Sequence, residues 1–191
     1  MKTNAKVLAE CGVLIALSTV LSLVKVFKLP WGGSITLLSM LPIVLIAIRH
    51  GVKTGVFAAF IFALIQLLFG ITMDGLLGWG LTAGMLIACI LLDYVIAFTV
   101  IGLAGVWRTK GVGGAIGGTA FAIFLRFVSH VLSGVYVFAS AGKLWEGFAT
   151  DNTWLYSILY NGAYMLPELI FTVIGAAILY KALPGGLVKA Q

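Results

Sequence analysis

Between residues 7 and 182 the sequence falls into six apolar stretches, 7–24, 35–48, 54–73, 80–107, 112–139 and 154–182, joined by short polar segments. About 20 apolar residues cross the ~30 Å hydrocarbon layer of a membrane, and inside that layer a chain has to satisfy its own backbone hydrogen bonds. The pattern therefore predicts an all-α integral membrane protein of six transmembrane helices, a single membrane domain over residues 1–191 with the lipid bilayer as its surroundings. Charge scarcity excludes the soluble alternative. Asp, Glu, Lys and Arg make up 9% of the chain against 62% hydrophobic residues, too few polar side chains to cover a water-exposed surface.

The second stretch, Ile35 to Ile48, is short and contains Pro42, so a tilted, short or partly extended passage is expected there. The last two stretches are long enough to tilt or to project beyond the bilayer. The start of the chain imitates a signal peptide, but its apolar run lasts 18 residues, shows no convincing small-x-small cleavage site and precedes further spans. It reads as the first membrane helix. With that end inside, the cytoplasmic segments carry Lys2, Lys6, Arg49, Lys53, Arg108, Lys110, Lys181 and Lys189, and the other side carries only Lys25, Lys28 and Lys143. This asymmetry predicts cytoplasmic N- and C-termini.

The formal net charge of +6 is scattered, which does not suit nucleic acid. Cys11 and Cys89 lie in apolar runs without zinc-ligand spacing and read as small buried hydrophobes; no metal or cofactor is expected. No phosphate-binding loop, HExxH helix or GxSxG elbow is present, so neither an ATPase nor a membrane hydrolase has its usual residues.

Acids within apolar stretches need an explanation, since each costs a few kcal/mol or more at mid-membrane unless paired or hydrated. Glu10 is expected in the first turn of its helix, as a cap or at the headgroups. Glu168 follows Pro167, whose ring frees a backbone carbonyl; a structural or gating role there is as reasonable as ligand contact. Asp93 is the lone acid of 80–107 and precedes Tyr94: a carboxylate beside an aromatic face suits a cation, and an internal salt bridge to Arg126 is the alternative. Arg126 and His130, four apart, share a helix face and suggest a polar cavity, although a membrane histidine can also be a hydrogen-bonded packing residue. Tyr156, Tyr160 and Tyr164 form one stripe, and Asn161 beside it can both donate and accept. An interfacial belt accounts for Trp154. The turn-rich segment Leu29-Pro30-Trp31-Gly32-Gly33-Ser34 suits either a lid with Trp31 at its tip or a headgroup anchor. Gly113, Gly114, Gly117 and Gly118 suit internal helix packing, whereas the Gly12 and Ala16 face could also receive a partner protein.

Leu29 to Thr36, Ser39-Met40-Leu41-Pro42, Leu91-Leu92-Asp93-Tyr94, Arg126 with His130, and Tyr160-Asn161-Gly162 through Met165-Leu166-Pro167-Glu168 together resemble the thiamin-specific substrate-binding (S) component of energy-coupling factor (ECF) transporters. The resemblance covers nearly the whole chain. It implies a six-helix protein of the prokaryotic cell membrane, not an enzyme, that captures thiamin from outside. Uptake would require a transmembrane scaffold subunit and two ATPase subunits. By the same resemblance Asp93 faces the thiazolium ring with Tyr94 beside it, Arg126 fills a basic position and His130 a pocket position. Tyr156 and Asn161 join the ring-binding wall, Trp31 belongs to the mobile first loop, and Gly12 with Ala16 meets the scaffold. Members can carry Glu at the place of Asp93, and a stacking tryptophan of some members falls at Phe138, with Tyr136 and Trp145 as other candidates. The rival readings are an S component for another vitamin such as riboflavin, which has less need of a buried anion, and an intramembrane enzyme built on Asp93, Arg126 and His130.

Overall fold

A computed structural model describes residues 5–29, 33–36 and 38–183. In chain order the elements are α1 (Ala5–Leu23), β1 (Lys25–Lys28), β2 (Ser34–Thr36), α2 (Leu41–His50), α3 (Val52–Thr72), α4 (Ala83–Gly105), α5 (Gly111–Tyr136), β3 (Gly142–Trp145), β4 (Phe148–Thr150) and α6 (Thr153–Ala182). Their ends follow local chemistry. The Thr82 hydroxyl accepts from Met85 N and the Asn152 side chain from Leu155 N, capping α4 and α6. Pro42 stands in the first turn of α2, where no helical N–H is lost, and Gly51 ends that helix at φ 89°.

The protein is predominantly helical, and five helices among the described residues are long and apolar enough to cross a membrane. The expectation of helix alone is corrected by two antiparallel two-stranded hairpins. Phe27 pairs with Ile35 in β1 and β2, and Lys143 with Ala149 in β3 and β4. Alternating residues with turn-forming glycines between them favour such hairpins where the chain leaves the apolar helices. The second stretch forms the short helix that its length and Pro42 predict. At ten residues α2 is only ~15 Å long. It is apolar because Ile43, Val44, Ile46, Ala47 and Ile48 are completely buried in the bundle, and hydropathy alone does not distinguish a protein interior from lipid.

Small residues allow the close crossings around this core. A Cβ on Gly102 would meet the backbone of Val56, one on Gly105 the carbonyl of Ala47, and one on Gly118 the carbonyl of Ala104. Gly114 likewise abuts the Trp107 carbonyl, so these two glycines of the α5 cluster serve internal packing. Glu10 lies in the second turn of α1 rather than the first. It pairs with Arg49 at 2.8 Å and His50 at 3.3 Å, so it ties α1 to the end of α2. Arg108 Nη1 donates to Arg49 O at 3.0 Å, gathering the start of α1, the end of α2 and the approach to α5 at one end of the bundle. The two hairpins and a Lys25 to Asp74 ion pair of 3.2 Å occupy the other.

Candidate functional site

At the hairpin end the helices enclose a cavity of about 450 Å³, within the ~300–1,000 Å³ of small-molecule sites. Asp93 and Tyr94 reach it from α4, where residues 90–96 adopt the wide i→i+5 winding of a π-helix, a distortion common at functional sites. Arg126 and His130 reach it from α5, and Tyr156, Tyr160, Asn161, Tyr164 and Glu168 from α6. Phe138 closes the rim after α5, and β2 contributes Ser34 and Thr36.

Hydrogen bonds define the polar floor. Asp93 Oδ1 lies 2.8 Å from His130 Nδ1, while its Oδ2 accepts from the Ser133 hydroxyl and from Cys89 Sγ at 3.4 Å. Arg126 is engaged elsewhere: its Nε donates to His130 Nε2 at 3.3 Å and its guanidinium lies 4.2 Å over the Phe98 ring. Asp93 therefore pairs with His130, and Arg126 reaches it only through that imidazole. Asn161 Nδ2 donates to Ser157 O at 2.9 Å and Ser157 Oγ at 3.2 Å, and its Oδ1 accepts from Tyr164 Oη at 2.7 Å. With its N–H groups engaged, the amide offers a ligand one remaining acceptor lone pair.

The aromatic walls follow the tyrosine stripe, with Tyr156 and Tyr160 stacked at 6.3 Å and 16°. Phe138 meets Trp79 with ring centroids 6.0 Å apart. Of the three aromatic candidates, Phe138 lines the cavity; Tyr136 packs edge-on to Trp154, and Trp145 stacks on Phe148. Glu168 is buried and accepts from the Thr36 amide and, at 2.7 Å, from its hydroxyl, docking β2 onto α6. Trp31 lies outside the described residues. Gly12 and Ala16 are exposed on the outer face of α1, away from the cavity lining.

Several participants were not anticipated. Trp79 had a signal, since Gly78-Trp79-Gly80 repeats the aromatic-among-glycines pattern of the first loop. Cys89 stands four residues before Asp93, one helical step away, so it is a donor to the carboxylate as well as a buried apolar residue. Gly70 had none: a Cβ there would collide with the Tyr94 hydroxyl, so this glycine makes the room for the tyrosine. Among the described residues no His, Cys, Asp and Glu group could hold a metal ion.

A membrane helix bundle with a polar, aromatic-walled chamber at one end is the architecture of a membrane protein that binds and moves a small solute. Residues 8–187 match the family described as Thiamine transporter protein (Thia_YuaJ), and the chain belongs to that family of membrane transporters, which are not enzymes. It is 31% identical over 193 residues to Thiamine transporter ThiT of Bacillus subtilis (strain 168), covering 93% of this chain and 91% of that protein. ThiT of Lacticaseibacillus paracasei is 26% identical, over 76% and 72% of the two chains. The solved structure of ThiT from Listeria monocytogenes superposes with a TM-score of 0.71 at 26% identity, over 97% of this chain and 98% of that one.

Proposed function

We propose that this protein is the thiamin-binding S component of an ECF transporter, which captures the vitamin outside the cell and delivers it for ATP-driven uptake. One observation carries the reading: the Asp93 carboxylate stands inside an aromatic-walled cavity, bonded to neutral donors and to an imidazole, while Arg126 is turned to that imidazole and to the Phe98 ring. A permanent cation with planar rings fits such a site, because carboxylate and ring faces both attract it. In this reading Asp93 neutralises the thiazolium, Tyr94, Tyr156 and Phe138 hold the two rings, and the free lone pair of Asn161 accepts from the aminopyrimidine. Arg126 and His130 complete the polar floor, and Trp31 is a further substrate contact.

The absence of a phosphate-binding loop fits a protein that depends on two separate ATPases and a scaffold subunit. Six passes and cytoplasmic termini belong to the same proposal. They are supported by the basic residues gathered near Glu10, Arg49 and Arg108 and by the placement of the chamber at the opposite end. Asp93→Asn keeps the shape and removes the charge. It should weaken thiamin binding by about 2–5 kcal/mol, the cost of losing one partner of a desolvated charge pair, read by quenching of the cavity-lining Trp79. An unchanged Kd would remove Asp93 as the counter-ion.

A further inference from the structure

We propose that His130 is a positioning residue, locked by Arg126 in its Nδ1–H tautomer, and that it aims the Asp93 carboxylate into the cavity. A guanidinium can only donate. Since Arg126 Nε donates to His130 Nε2 at 3.3 Å, Nε2 is the acceptor and carries no proton. The ring proton of the neutral imidazole then sits on Nδ1, which donates to Asp93 Oδ1 across 2.8 Å. The other oxygen accepts from Ser133 and Cys89, so donors on two helices hold both ends of the carboxylate. Arg126 and His130 are four residues apart on α5, and the guanidinium is itself held over Phe98, so the relay starts from a fixed point. Tyr164 of α6 meets the imidazole edge-on at 6.1 Å, limiting rotation of the ring.

Both ring nitrogens are thus spent on protein partners. Through these bonds His130 acts on Asp93, and the guanidinium at its far side polarises the imidazole into a stronger donor. This deepens the proposed function and rests on Asp93 being the counter-ion of the substrate cation. If the Arg126 donor is removed, Nε2 is free to take a second proton while Nδ1–H stays on Asp93. The carboxylate is then neutralised by an imidazolium instead of being left for the substrate cation.

The test combines nitrogen-15 NMR of histidine-labelled protein in detergent, without thiamin, with binding measurements. The chain has two histidines, so a His50→Gln background isolates His130. The expected spectrum shows Nδ1 protonated and Nε2 bare, and in Arg126→Leu protonation of Nε2. Thiamin affinity should fall about tenfold in Arg126→Leu, near the worth of one hydrogen bond, and recover in Arg126→Lys, which restores a donor. An Nε2–H ring in the unsubstituted sequence at position 126, or Arg126→Lys binding as weakly as Arg126→Leu, overturns the proposal. The NMR arm needs no substituted arginine, so it decides even if Arg126→Leu fails to fold. Failure of the counter-ion reading is distinguishable: Asp93→Asn would then bind thiamin normally while the tautomer remained as stated.

Discussion

Asp93 and Tyr94 are consecutive, and in an ordinary α-helix neighbours point about 100° apart; here both line the cavity. Both sit in the π-helical segment 90–96, and the Tyr94 ring needs space on the facing helix. Gly70 of α3 supplies it, since a built Cβ would stand 2.6 Å from Tyr94 Cζ. Gly70→Ala should therefore displace the tyrosine and weaken thiamin binding by about 1–3 kcal/mol, the usual cost of overpacking. Calorimetric titration checks this, and full affinity would mean that Tyr94 is no wall of the site. From sequence, Asp93, Tyr94, Arg126, His130 and Asn161 stood out as polar or aromatic groups in apolar stretches. Gly70 was illegible because its role is defined by a residue 24 positions away, which no local pattern encodes.

Among the elements, the first hairpin lines the chamber with Lys25, Gly33, Ser34 and Thr36. Its β2 strand is fixed to α6 by Thr36 on Glu168, its β1 strand to the end of α3 by Lys25 on Asp74, and Gly33 N donates to Tyr160 Oη at 3.2 Å. Gly33 meets α6 so closely that a Cβ would lie 2.9 Å from the Tyr164 ring. Gly33→Val should lift the hairpin and raise the thiamin dissociation rate about tenfold or more, because interface changes act mainly on koff. Stopped-flow fluorescence reads the rate; an unaltered koff would deny the hairpin a part in retention. A partly extended passage before α2 was legible from the short second stretch and Pro42. The pairing of β1 with β2 was not, since strand partners are chosen by register across the loop.

As a whole the molecule has a basic end, a chamber end and an outer surface of apolar side chains suited to lipid. The Gly12 and Ala16 face of α1 is exposed, and Gly12 has open space beside it. Two flat residues one helical step apart let another helix approach closely. Gly12→Leu and Ala16→Leu should leave thiamin affinity unchanged while cellular uptake is lost, measured with radiolabelled vitamin in cells that carry the coupling subunits. Normal uptake would free this face from coupling. In the same cells a membrane-impermeant thiol reagent should label Lys143→Cys from outside and Lys53→Cys only after permeabilisation; the reverse pattern would overturn the proposed orientation.

The sequence by itself determined the membrane setting, the helical class and the polar residues worth watching, because hydrocarbon penalises every charge and unpaired backbone group. Tertiary structure alone decided that α2 is buried among the other helices, and that Asp93 meets His130. It also decided that Trp79 joins Phe138 at the rim. The physical reason is range. Hydropathy records the preference of each residue for a dry environment, whereas a cavity depends on which distant helices meet and on the glycines that let them.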